Sequence, residues 1–167
     1  MTKGNGAPPN GEAAANRPGP SFVKARELAG PAWLGRWLLR GENTGGSLAL
    51  RECELPVGYA TPPHMLLHDD VSVMVLEGRV DFACDGERAE LGAGDCAYLP
   101  ARRPRSLNNL APTASRVLLV FAPPVTLETM LNEFDRLAAA GNLTPGEARR
   151  LATFYGLIVA DPGKADA

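Results

Sequence analysis

GYATPPHMLLHDDVSVMVLEG, residues 58–78, carries both histidines of the chain, His64 and His68, just ahead of a β-branched run that stops at Gly78. Residues 71–76 read as a strand because valine-rich runs bounded by glycine fit a pleated, buried sheet better than a helix. The histidines stand four positions apart. On a helix that spacing would put both on one face, and on a strand positions 64, 66 and 68 also share a face. Asp69 and Asp70 come directly after and read as a solvated turn in which the strand has given way to a loop.

The same pattern extends outward. Residues 47–55 read as a strand closed by Pro56, Val57 and Gly58. Residues 79–84 and 88–91 flank Asp85-Gly86, a strong two-residue hairpin signal. Gly92, Ala93, Gly94 and Asp95 turn the chain again. Residues 96–99 form a short strand stopped by Pro100, and residues 116–121 form another stopped by Pro123 and Pro124. Many short strands at regular spacing predict an all-β barrel or sandwich.

The flanks differ. Residues 1–20 are rich in Gly, Pro, Ala and Asn and lack the apolar side chains needed to offset ordering entropy, so a disordered tail is expected. Trp33, Leu34, Trp37, Leu38 and Leu39 supply the first core-quality residues and read as an early strand, opening a barrel that spans residues 21–124. After it, Leu127, Met130, Leu131, Phe134, Leu137 and Ala138 recur at helical period, with Thr126 and Thr129 as candidate caps and Gly141 as the stop. Thr144 followed three on by Glu147 opens a second helix with capping-box spacing. Residues 125–160 are expected to pack outside the barrel or on a partner subunit, and residues 161–167 to fray.

Composition bounds the function. The 167 residues fit one domain, with 45% hydrophobic and 22% charged residues. A formal net charge of -2 offers no basic footprint for nucleic acid. No apolar run approaches the roughly 18 residues needed to cross a bilayer, so no membrane is expected. The start lacks the apolar core of a secretion signal. Cys53, Cys84 and Cys96 lack metal-type spacing, and their odd number fits reduced, buried thiols in a cytoplasmic protein.

Residues 58–78, with Gly92 to Asp95, Tyr98-Leu99-Pro100 and Asn108 after them, resemble the two sequence motifs of the cupins. Together with Thr44-Gly45-Gly46 ahead of a strand and the tail Phe154-Tyr155-Gly156-Leu157, they look like small bacterial members of the quercetin 2,3-dioxygenase-like kind. The resemblance runs over residues 33–159. It implies a double-stranded β-helix, or jelly roll, with C-terminal α-helices, a small-molecule pocket inside the barrel, and often a homodimer.

The resemblance also implies a metal site of three histidines and a glutamate. Position by position, the first histidine falls on His64, but the second falls on Leu66, the glutamate on Val71 and the last histidine on Arg105. Leucine and valine offer no donor, and a guanidinium repels a cation. No metal and no other cofactor is therefore expected. A rearranged site at His64 and His68, helped by Asp69 and Asp70, is the alternative.

One base and one fixed cation remain. His64 exchanges protons near neutral pH, and Arg105 can hold a carboxylate or an enolate oxygen. That pair suits metal-independent proton transfer next to a carbonyl: isomerisation, cyclisation, dehydration or decarboxylation. Leu66, Val71 and Val73 would form apolar walls suited to a polycyclic or polyketide-like ligand, with Tyr59 and Tyr98 as hydrogen-bonding candidates. Glu52 would pair with Arg105 if it faced inward. Alternation puts Leu50, Glu52 and Glu54 on one face and Arg51, Cys53 and Leu55 on the other, and both faces are mixed. A non-catalytic binding or regulatory role and a dioxygenase are the competing readings. No helix-turn-helix segment precedes the barrel, which counts against direct transcriptional control.

Overall fold

The mixed strand at residues 47–55 resolves cleanly. In β2 (Ala49–Leu55), Ala49, Arg51, Cys53 and Leu55 are buried, while Leu50, Glu52 and Glu54 form the outer face. The computed structural model describes residues 19–22 and 35–160. The expectations for residues 1–18, for Trp33 and Leu34, and for residues 161–167 lie outside them.

The remaining elements are β1 (Gly35–Leu39), β3 (His64–Leu66), β4 (Val71–Glu77), β5 (Arg79–Cys84), β6 (Glu87–Gly92), β7 (Cys96–Leu99), β8 (Arg105–Asn108), β9 (Ser115–Phe121), α1 (Leu127–Ala139), α2 (Pro145–Phe154) and β10 (Leu157–Val159). The strands form two five-stranded antiparallel sheets, in the orders β1-β2-β9-β4-β7 and β10-β3-β8-β5-β6. Crossovers between non-consecutive neighbours are the jelly-roll topology that the resemblance implied. The short strands β8 and β10 are absent from that reading. Each is only three or four residues long and is held by its neighbours rather than by its own pattern.

The core lies between the sheets. Val73, Val75, Val80, Val117 and Phe121 are at most 1% exposed, and burying each such side chain contributes roughly 1.5–3 kcal/mol. Asn109, next to the expected Asn108, is also fully buried. Its amide donates to the carbonyls of Leu55, Pro56 and Thr113, and its oxygen accepts from Ala111 N and Ser115 Oγ. Ser115 in turn bonds Arg79 N and O. Gly78 sits against this node with φ 80°. A Cβ there would lie 2.3 Å from Ser115 Oγ, so only glycine fits the turn between β4 and β5.

The helices pack on the barrel and extend its core: Leu127, Met130, Leu131 and Phe134 of α1 and Leu151 and Ala152 of α2 belong to one buried cluster with the strands. The first cap is not where the sequence suggested. Thr126 makes no side-chain cap. Instead Asp69, fully buried in the loop after β3, accepts from the backbone N–H of Val125, Thr126 and Leu127 and from the Thr126 hydroxyl. A carboxylate at a helix N-terminus meets both the orphan donors and the helix dipole. At α2 the expected cap holds, with Thr144 Oγ1 accepting from Glu147 N at 3.2 Å. Among the described residues no helix is long and apolar enough to cross a membrane.

Candidate binding cavity

A cavity of about 550 Å³ runs between the sheets and under the helices, within the range of small-molecule sites. Its wall is mostly aliphatic, including Val71, Val73 and Val117 from the barrel and Met130 and Phe134 from α1. Polar character is confined to a few groups, among them Arg51, Tyr59, His64, Arg105 and Arg149.

His64 and Arg105 are direct cross-strand partners on β3 and β8, and Val159 of β10 flanks His64 on the other side. Partners on one rung hold their Cβ atoms about 5 Å apart on one face. The His64 Nδ1 lies 3.0 Å from the Pro62 carbonyl. A carbonyl only accepts, so Nδ1 carries the proton and Nε2 is left as the basic nitrogen. Burial lowers the His64 pKa below 6.5, and the Arg105 charge lowers it further, against the raising effect of the Pro62 bond. His64 is thus a neutral, available base at neutral pH.

Arg105 is 4% exposed. Its guanidinium donates to the carbonyls of Leu99 at 3.0 Å, Arg103 at 3.4 Å and Pro100. Burial pulls its pKa below the ordinary arginine value, opposed by Cys84, Asp70 and Tyr98. Guanidinium has five N–H donors, so these three bonds leave capacity for a ligand. No described carboxylate forms an ion pair with it.

Tyr59 is the third handle. It lines the cavity, and burial pushes its phenol up to about 12, so it acts as a hydrogen-bond donor rather than an anion. Burial likewise pushes the neighbouring Cys53 thiol up to about 11, which makes it inert. The cysteines differ in place: Cys53 is buried, Cys84 half-buried and Cys96 exposed, against the expectation that all three are buried.

Val71 and Val73 line the cavity as read from the sequence; Leu66, Glu52 and Tyr98 do not. Leu66 is buried in the core. Glu52 faces out and is held by Arg36 and Arg116. Partial burial alone would raise its carboxyl, but the hydrogen bonds and charges of those two arginines hold it below the usual range. Tyr98 is 62% exposed and donates to Asp70. Its β7 neighbour Leu99 takes the inward place, as strand alternation requires.

The second histidine is also elsewhere. β3 ends at Leu66, and His68 is exposed beyond it, against Gly156. Asp69 is committed to α1, and Asp70 accepts from Ala101 N and Tyr98 Oη. The metal site that the fold family implies therefore does not fit: the ligand positions hold His64, Leu66, Val71 and Arg105, and the described residues gather no group of three His, Cys, Asp or Glu side chains able to hold an ion.

Arg51 is a cavity residue that the sequence did not single out. It is 1% exposed, lines the cavity, and makes two 2.8 Å bonds to Asp135 of α1 under the Trp37 ring. A buried arginine on an inward strand face needs a carboxylate, and Asp135, one position after the core residue Phe134, is the signal that could have pointed to it.

Residues 51–121 match the family model described as Cupin domain. An uncharacterized protein of Methanocaldococcus jannaschii is 30% identical over 84 residues, which are 50% of this chain and 67% of that protein. The chain carries a cupin domain. Among solved structures this cupin is similar to a predicted oxalate decarboxylase of Thermotoga maritima, with TM-score 0.56 and 18% identity over 62% of this chain and 99% of that one. It is also similar to KdgF of Halomonas sp., with TM-score 0.55 and 19% identity over 66% and 99%. A third is the polyketide cyclase RemF of Streptomyces resistomycificus, with TM-score 0.50 and 20% identity over 61% and 78%. These similarities establish the cupin fold and do not single out its quercetin 2,3-dioxygenase-like branch.

Proposed function

We propose that this cupin binds an apolar small molecule inside the barrel and moves a proton on it without a metal. His64 Nε2 takes or returns the proton, Arg105 holds the oxygen that becomes negative, and Tyr59 donates a hydrogen bond. The observation that carries the reading is the rung: a base with its other nitrogen tied to Pro62, beside a buried guanidinium, facing an aliphatic cavity. A fixed cation beside a desolvated base favours an enolate more than water does. The reaction class is isomerisation, cyclisation, dehydration or decarboxylation. The polyketide cyclase RemF adds only that this fold accommodates a cyclase.

The test is hydrogen–deuterium exchange next to the carbonyl of a bound ketone, monitored by NMR. The wild type should exchange that position, and His64→Gln should slow it by about 10²–10⁴-fold, the usual share of general-base catalysis. A second reading, a non-catalytic binder, draws on the backbone bonds that give Arg105 a structural task. Binding without exchange in the wild type would select it. Stoichiometric iron, manganese, nickel or copper in purified protein, lost in His64→Ala, would overturn the metal-independent chemistry.

A further inference from the structure

The cavity has a charge bias that the chain as a whole lacks. The protein carries 19 acidic and 17 basic residues. Yet no aspartate or glutamate is among the described residues that line the cavity, whereas Arg51, Arg105 and Arg149 are. Arg51 is neutralised by Asp135. Arg105 and Arg149 have no ion-pair partner among the described residues, unlike Arg36, Arg40, Arg79, Arg103, Arg116, Arg136 and Arg150. The contrast is sharpest between neighbours on α2. Arg150 pairs with Glu147 at 2.8 Å, while Arg149, exposed to solvent, reaches the cavity.

We propose that the ligand is an amphipathic anion, an apolar body bearing a carboxylate, sulfonate or acidic enol, and that Arg149 is the entrance-side cation that selects it. The inference rests on the reading of the cavity as a small-molecule site. An unpaired cation at a low-dielectric mouth concentrates anions there, and a second one inside, Arg105, receives the charge once water is shed. A neutral ligand of the same shape would leave Arg105 buried without a counter-charge.

The probes are anilinonaphthalene sulfonate and the uncharged phenylnaphthylamine, which share one aromatic body and differ by the sulfonate. Each is titrated into the full chain by fluorescence and calorimetry. The sulfonate should bind about ten-fold tighter or more, the scale of a charge-assisted hydrogen bond. Arg149→Gln should weaken it by about five-fold, an exposed cation's share, and leave the neutral probe unchanged. Arg150→Gln should change neither. Equal affinity for the two probes, or equal effects of Arg149→Gln on both, overturns the anion selection and leaves the cavity reading standing. Failure of both probes to bind overturns the two together. Val73→Phe, which pushes a larger side chain into the cavity, should weaken both probes by about ten-fold or more, and a sulfonate signal that it leaves unchanged counts against the site.

Discussion

Protonating His64 is opposed by burial and by Arg105, and this gives its pH dependence a definite sign. Its folded pKa lies below the ordinary 6.5, so below that pH the unfolded chain takes up the proton first. Stability therefore falls as pH drops through the window that opens at 6.5 and extends down to the lowered value. Between about pH 7 and about pH 5, His64→Gln should lose less stability than the wild type in urea titrations; a larger loss would contradict the desolvated base. The single histidine place was legible because residues 58–78 fix the register of β3 and β4. The partner's inward direction was not: Arg105 comes after two arginines and a proline, and a basic loop and a strand start look alike until β3 and β5 pair with it.

Helix α1 is fastened by two carboxylates, the buried Asp69 and the half-buried Asp135. Asp69 accepts from four donors at the start of α1, so Asp69→Ala should destabilise the protein by about 2 kcal/mol or more, combining a lost cap with orphaned donors. Urea denaturation checks this. Midway along α1, Asp135→Ala would remove the carboxylate that pairs with Arg51, whose side chain is 1% exposed. That should cost about 3–5 kcal/mol, and the double change Arg51→Met with Asp135→Leu should recover most of it. A double-mutant cycle measures the difference. Helix periodicity revealed α1 and capping-box spacing revealed α2, but only contacts could reveal their docking. The partners Asp69 and Arg51 lie far upstream in the chain, where local pattern carries no trace of them.

At the scale of the molecule, the cavity is a void kept open between two well-packed sheets. Val73→Phe, at a wall position 1% exposed, should narrow it and reduce binding of an apolar probe by about ten-fold or more. The melting midpoint should move by only a few degrees, since a large side chain there meets space rather than a closed core. A steep fall in the midpoint would mean that the site has no room. Strand spacing made the barrel legible, and the resemblance implied a pocket inside it; the share of α1 and α2 in the cavity wall was not legible, because those residues lie far along the chain from the strands that they face. The loop from Leu67 to Asp70 sets a trap for mutagenesis. Leu67 N donates to Gly156 O, His68 packs on Gly156, Asp69 anchors α1 and Asp70 secures β7. None of the four lines the cavity. An alanine scan scored only by turnover would nonetheless flag all four beside His64 and draw a false catalytic cluster around the second histidine. Measuring stability alongside turnover would separate the fasteners from the chemistry.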